Sequence, residues 1–97
     1  MKLMRIPEKK LKQEMSTIPD WKLVNNTINK KFYFDDFNKA FGFMTRSALH
    51  IEKLNHHPNW KNTFNIVEVS LTTHDVDGIT KKDIELAKIL NEIQNDS

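Results

Sequence analysis

Two adjacent histidines, His56 and His57, stand directly before Pro58 in a chain that has only four histidines. An imidazole gains or loses its proton near neutral pH, with a reference pKa of about 6.5, so a pair can hold acid and base forms together. A third histidine, His74, lies at the expected end of a strand. Histidines at the ends of two elements can converge on one cleft, which indicates general acid and base catalysis.

The histidines also have structural interpretations. At the end of a helix, His56 and His57 could cap the last carbonyls and place positive charge near the negative end of the helix dipole. His50 lies six residues before His56, a spacing that does not put the two on one helical face. We therefore assign no role to His50 and treat it as a solvated or partly packed residue.

Other chemistries find less support in the residue types. The chain has no cysteine, which removes disulfides, thiolate nucleophiles and thiolate metal ligands and is typical of a reducing compartment. Adjacent histidines lack the i, i+4 spacing of a helical zinc pair. There is no G-x-S-x-G motif, and two glycines are too few for a phosphate-binding loop. We expect neither a metal nor an organic cofactor.

Turn and capping signals divide the chain into elements that would position the histidines. The patterns predict a short helix, a hairpin, a long helix, two further strands, a turn and a last helix. Their bounds are about Pro7–Met15, Trp21–Val24 and Thr27–Phe34 around an Asn25–Asn26 turn, Asp35 or Asp36 to between Asn55 and His57, Trp60–Phe64, Ile66–Thr73, Asp75–Gly78, and a helix led by the Thr80 and Asp83 capping-box pattern.

This order favours an α+β fold. Consecutive strands with tight turns favour a four-stranded antiparallel sheet, and amphipathic helices would cover one of its faces in a two-layer sandwich. The long helix carries apolar residues at three- and four-residue spacing, at Phe37, Ala40, Phe41, Met44, Ala48, Ile51 and Leu54. The chain has 97 residues, and we expect residues 1–97 to form a single domain. The core of so small a domain favours assembly into a homodimer or homotetramer.

Composition limits the partners. Fifteen basic and thirteen acidic residues are spread along the chain, and no arginine-rich stripe indicates nucleic-acid binding. The apolar stretches are short and interrupted by charge, so neither a signal peptide nor a membrane span is expected. The cytoplasm is the expected location.

Two long segments of the chain resemble one known family. They read AFGFMTRSALHIEKLNHHPNW and NTFNIVEVSLTTHDVDGITKKDIELA. The most specific parts are EKLNHHP at Glu52–Pro58, TH at Thr73 and His74, and G-x-T-x-x-D at Gly78, Thr80 and Asp83. Over roughly Trp21 to Leu90 the sequence is similar to the pterin-4a-carbinolamine dehydratase family, also called the dimerisation cofactor family.

The resemblance implies a dehydratase that removes water from 4a-hydroxytetrahydropterin and gives the quinonoid dihydropterin in tetrahydropterin recycling. It assigns the site histidines to His56, His57 and His74, with no metal or organic cofactor, and it implies dimers or tetramers. The helix end favours an imidazolium at His56 or His57, which suggests the acid there and the base at His74, although the order stays open.

Further residues are candidates for substrate binding or for orienting the histidines. They are Glu52, Pro58, Trp60, Thr73 and Asp75. Glu52 precedes His56 by four residues and could orient it, or be a plain surface carboxylate. Trp60 could stack on a flat pterin or fill the core. Asp83 is better explained as a capping residue than as a catalyst.

Two other functions fit the same residues. Some members of this family stabilise a transcription-factor dimer, which would depend on an exposed helix face and not on the histidines. An enzyme of the same fold could also act on another pterin, as in molybdenum-cofactor metabolism.

Overall fold

A computed structural model describes residues 3–96 of the chain. It contains three α-helices, four β-strands and one turn of 3-10 helix. Their bounds are α1 Glu8–Ser16, β1 Lys22–Val24, β2 Thr27–Tyr33, α2 Phe37–Leu54, β3 Asn59–Thr63, β4 Ile66–Leu71, the 3-10 turn His74–Val76, and α3 Lys81–Asn95.

The strands form one antiparallel sheet in the order β1-β2-β4-β3. Strand β4 is central, so that Val67 pairs with Phe32 on β2 and with Asn62 on β3. Tight turns join β1 to β2 and β3 to β4, with Asn25 and Phe64 at positive φ. The predicted α+β architecture with a four-stranded antiparallel sheet is confirmed.

The core lies between the sheet and the helices. Strand β4 alternates buried and half-exposed positions, and its inward residues are Val67, Val69 and Leu71. Helix α3 buries Leu86, Ala87, Leu90 and Ile93, as its apolar stripe predicts. Helix α1 buries none of its residues fully, and its Leu11 and Met15 pack on the edge of the core.

Helix α2 differs from its predicted apolar stripe. Its buried residues are Ala40, Phe43, Ser47 and Ile51. Phe37 and Phe41 are about half exposed and stack on each other at 5.5 Å between ring centroids. The helix is apolar on more than one side, so three- and four-residue spacing fits two overlapping stripes and does not identify the inward one.

The chain after β4 also differs from its predicted bounds. The strand ends at Leu71, and Thr73 forms an isolated antiparallel bridge with Gly78. Between them lie the 3-10 turn and Asp77, which has a left-handed backbone. His74 is therefore the first residue of a turn, three residues beyond Leu71, where the sheet pairing of β4 stops. Within residues 3–96, no helix is long and apolar enough to cross a membrane.

Candidate active site

Helix α2 ends where the paired histidines begin. Asn55 adopts the left-handed conformation that commonly ends a helix, with φ 54° and ψ 46°. The ammonium of Lys82, at the start of α3, donates to the Leu54 carbonyl oxygen at 3.2 Å. This contact satisfies a terminal carbonyl of α2 and fastens the end of α2 to the beginning of α3.

The side chain of His56 meets a buried carboxylate. Its Nε2 lies 2.5 Å from Oδ1 of Asp83, which is fully buried. The other carboxylate oxygen accepts hydrogen bonds from the Thr73 hydroxyl at 2.7 Å and from the Thr80 backbone N–H at 2.9 Å. Three segments thus meet at one carboxylate: the chain after α2, the end of β4 and the start of α3. Each of its oxygens has a partner.

The Asp83 carboxylate also determines the proton arrangement of His56. A carboxylate at Nε2 requires that this nitrogen carry a hydrogen, because an ionised carboxylate only accepts. In the neutral imidazole, Nδ1 is then the atom that can accept a proton. Asp83 therefore orients the ring and leaves one defined nitrogen for proton exchange.

His57 has a different partner. Its Nε2 lies 2.7 Å from Oε1 of Glu52, and both side chains are more than half exposed. The expectation that Glu52 orients His56 is wrong, since Glu52 contacts the neighbouring imidazole. The physical reason is Asn55: its left-handed backbone takes the chain off the helical path, so the i, i+4 rule no longer holds beyond Leu54.

His74 is tied to the same centre through its neighbour. The side chain of Thr73 is buried and bonded to Asp83, whereas His74 and Asp75 are exposed in the turn. The Thr80 hydroxyl lies 2.8 Å from that of Thr73, so the end of β4 and the start of α3 are joined twice. The structure thus places the segments that carry His56, His57 and His74 around Asp83.

The remaining candidates lie at the rim of this arrangement. Trp60 is half-buried on the edge strand β3, opposite Val69, and packs against the core. Pro58 separates the histidines from β3 and is half-exposed. His50 is exposed on α2. Among residues 3–96, no group of three or more His, Cys, Asp or Glu side chains is placed to hold a metal ion.

The residue that sequence reasoning left outside the candidate site is Asp83. The capping box with Thr80 is present, as predicted, but the same carboxylate also contacts His56 and Thr73. The G-x-T-x-x-D pattern had already singled out Asp83. The capping box explains its bond to Thr80 but not its contact with His56. One carboxylate has two oxygens and can serve both purposes.

A recess of about 640 Å³ lies elsewhere, over the sheet, and none of the four histidines lines it. Its lining includes the lysines Lys22, Lys31 and Lys61 and the amides of Asn29 and Asn59. Asp20 and Glu68 also line it and form ion pairs with Lys30 and Lys31, at 3.7 Å and 4.0 Å. The histidines and Asp83 lie outside this recess.

Comparison with known proteins agrees with the family resemblance seen in the sequence. The profile of the family described as pterin 4 alpha carbinolamine dehydratase matches residues 4–93. The chain is 52% identical to a protein of Bradyrhizobium diazoefficiens over 91 residues, which cover 92% of this chain and 91% of the relative. It is 44% identical to a protein of Prochlorococcus marinus over 93 residues, covering 96% and 97% of the two chains. Both relatives are named, provisionally, as pterin-4-alpha-carbinolamine dehydratases.

A solved structure is also similar. It is the crystal structure of a protein of Brucella melitensis named as a transcriptional coactivator/pterin dehydratase. The TM-score is 0.91 at 40% sequence identity, and the match covers 94% of this chain and 99% of the other. The likeness extends over the whole arrangement of helices and strands.

Proposed function

Because this chain belongs to the pterin 4 alpha carbinolamine dehydratase family, we propose that it removes water from a 4a-hydroxytetrahydropterin, in tetrahydropterin recycling. The product is the quinonoid dihydropterin. The observation that most supports this proposal is the buried Asp83, which contacts His56 and is bonded to the residue before His74. A carboxylate that orients one imidazole and anchors the segment carrying another suits an elimination that needs a proton given and a proton taken.

The reaction balances without an external reagent. One imidazolium gives a proton to the 4a-hydroxyl oxygen, the carbon–oxygen bond breaks, and water leaves. A neutral imidazole takes the proton from the neighbouring ring nitrogen, and the electron pair of that N–H bond becomes the new carbon–nitrogen double bond. The two imidazoles then exchange protons with solvent and return to their starting forms.

The positions of the histidines suggest how the roles divide. His56 and His57 follow the C-terminal end of α2, where the helix dipole favours positive charge, so we assign the acid to this pair. His74 lies on the turn after β4 and is assigned as the base. Glu52 beside His57 is then a positioning residue for the acid side, and Trp60, Pro58 and Asp75 are candidates for contact with the pterin ring.

The protein also has a surface suited to self-association. Phe37, Phe41 and Leu49 of α2 are 49%, 55% and 74% exposed, an unusual set on one helix of a small soluble protein. We include a homodimer or homotetramer in the proposal. Light scattering should give at least twice the 11.5 kDa mass of the chain.

A substitution can test this surface. Phe41→Lys should lower the mass measured by light scattering, whereas Lys88→Glu on the exposed side of α3 should not. A monomeric wild-type protein at micromolar concentration would contradict the proposed assembly.

A second candidate function is that of a binding module. The Brucella melitensis protein is named as a coactivator as well as a dehydratase, and the exposed face of α2 could receive a partner protein. Such a role would not need the histidines. The contact of His56 with Asp83, and the bond from Thr73 beside His74 to the same carboxylate, favour the enzyme.

The deciding experiment is an absorbance assay of 4a-hydroxytetrahydropterin dehydration with and without the protein. We expect catalysis that survives chelator treatment, since the proposed chemistry needs no metal. A protein that binds the pterin without accelerating water loss would favour a binding role. Activity on a different pterin alone would favour an enzyme of molybdopterin metabolism.

A further inference from the structure

Gly78 needs an explanation that its backbone does not supply. Its φ does not lie in the left-handed region that favours glycine. A Cβ atom at this position would lie 2.5 Å from Nε of Arg5 and 3.1 Å from the Cγ and Cδ atoms of the same side chain. The exposed side chain of Arg5 lies directly over Gly78, and a Cβ atom there would require the Arg5 side chain to move.

The backbone beside Arg5 is fastened at the same place. The N–H of Ile6 donates to the Ile79 carbonyl oxygen at 2.8 Å, and the Ile6 side chain packs on the edge of the core. Residues 5 and 6 therefore lie alongside residues 78 and 79. Arg5 is held there by its neighbour and not only by its own side chain.

The residue that Arg5 covers closes the turn of His74. Gly78 and Thr73 exchange two backbone hydrogen bonds, at 2.9 Å and 3.4 Å, with His74 in the loop between them. Thr73 in turn donates its hydroxyl to Asp83. The bridge that closes this loop therefore contacts Asp83 through Thr73 and lies against Arg5 at Gly78.

We propose that Arg5 is a positioning residue that holds the turn carrying His74 in place. The stem of its side chain prevents Gly78 from moving outward, so the Thr73 to Gly78 bridge stays closed and the imidazole of His74 keeps one position. The effect on turnover rests on the proposed dehydratase function. The effect on the turn itself does not.

Four variants test this role. Arg5→Ala removes the stem, and Gly78→Ala displaces it, because the added methyl group occupies the position of Nε. Each should lower kcat by about tenfold, less than the roughly hundredfold that a misplacement of 1 Å can cost. The double variant should be no worse than either single one, since both remove the same contact. Arg5→Met keeps an unbranched stem and should stay close to wild type.

Histidine NMR gives a measurement that does not depend on turnover. In Arg5→Ala and Gly78→Ala, the ring signals of His74 should shift or broaden while those of His56 stay in place. Lys9→Ala, on the exposed side of α1, is the control. Unchanged His74 signals, or a double variant whose effects simply add, would overturn the role of Arg5. If the wild-type protein dehydrates no pterin, the His74 signals still decide whether Arg5 holds the turn.

Discussion

Asp83 and Lys30 are two ionisable side chains with little exposure at the same helix: Asp83 belongs to α3, and Lys30 of β2 contacts Asn91, about 12 Å further along the helix axis. Asp83 is fully buried and has partners for both oxygens, from α2, the end of β4 and the cap of α3. Lys30, with 12% of its side chain exposed, donates to Asn91 at 2.8 Å. Its nearest carboxylate, Asp20, is 3.7 Å away and mostly exposed.

The two groups show different uses of a buried charge. Burial lowers the pKa of Lys30, and Asp20 opposes only part of that shift. The surroundings of Lys30 therefore disfavour the charged ammonium on balance. Much of the Lys30 stem instead lies against the core, with its ammonium 4.4 Å from the centre of the Phe32 ring. The contacts of Asp83 come from every segment that carries a candidate catalytic histidine. We therefore expect the Asp83 region to control turnover and the Lys30 region to affect only stability.

The largest expected effect comes from the histidines around Asp83. His56→Ala, His57→Ala and His74→Ala should each lower turnover by about a hundredfold or more, the usual scale for loss of a general acid or base. The fold should remain nearly intact, as measured by thermal unfolding. His50→Ala, on the exposed side of α2, should match wild type in both measurements.

A different ranking would show a structural role for these histidines. If thermal stability fell sharply while turnover per folded molecule stayed the same in all three variants, they would be capping residues only. Neighbouring imidazoles can titrate as a group, so a pH–rate profile should be described by values for the cluster.

The second effect distinguishes the two functions of Asp83. Asp83→Asn should lower turnover at least tenfold, because the amide can present an N–H to His56 and favour the wrong tautomer. It should also reduce the free energy of unfolding by about 2 to 4 kcal/mol, since a buried charged partner is lost.

The matched control is Asp36→Asn, a helix-capping aspartate whose Oδ1 accepts from the Lys39 N–H. Asn is also a good capping residue, so this change should leave turnover unaltered and alter stability by only a few tenths of a kcal/mol. Equal turnover in Asp83→Asn and wild type would reduce Asp83 to a capping residue.

A smaller effect is expected at Lys30. Lys30→Met keeps the apolar stem and removes the ammonium. Removing the desolvation cost of the charge stabilises the fold, and losing the hydrogen bond to Asn91 destabilises it, so the two effects oppose each other. The free energy of unfolding at neutral pH should change by no more than about 1 kcal/mol, measured by urea denaturation. Turnover should be unchanged, and a loss of activity here would break the contrast between the two regions.

The smallest effect is a pH dependence of stability from the same lysine. Because the pKa of Lys30 is lowered from 10.5 in the folded protein, the unfolded chain binds more protons between the two values. Stability attributable to Lys30 should therefore rise as pH increases through its folded pKa toward 10.5. The difference in unfolding free energy between wild type and Lys30→Met isolates this contribution, and a difference that falls with rising pH would contradict it.

The sequence predicted local structure better than it predicted contacts between elements. The hairpin turn at Asn25, the end of α2 before Pro58 and the capping box of Thr80 and Asp83 all depend on residues close together in the chain, and the structure has each of them. The predicted apolar stripe of α2 was right at Ala40 and Ile51, which are buried, and wrong at Phe41, which is exposed while Phe43 is buried. That choice depends on what packs against the helix.

The site shows the same limit. The sequence correctly placed His56 after the end of α2, whereas His74 lies in a 3-10 turn beyond the end of β4. The carboxylate that contacts His56 lies 27 residues further along the chain. A local rule linked Glu52 to His56, whereas the left-handed Asn55 brings His57 to Glu52. The roles of these residues in catalysis stay predictions that the variants above can test.

The central place of β4 has a consequence for how the protein is made. Strand β2 pairs with a segment that begins at Ile66, so a ribosome must produce the β1–β2 hairpin, all of α2 and β3 before the central strand exists. The hairpin of β3 and β4 can form from neighbours in sequence, but its insertion beside β2 closes a long loop and should be slow. Until then, α2 is apolar on two sides with neither covered. We expect the Asp83 centre to be completed last, when α3 leaves the ribosome and its first turn reaches the end of α2.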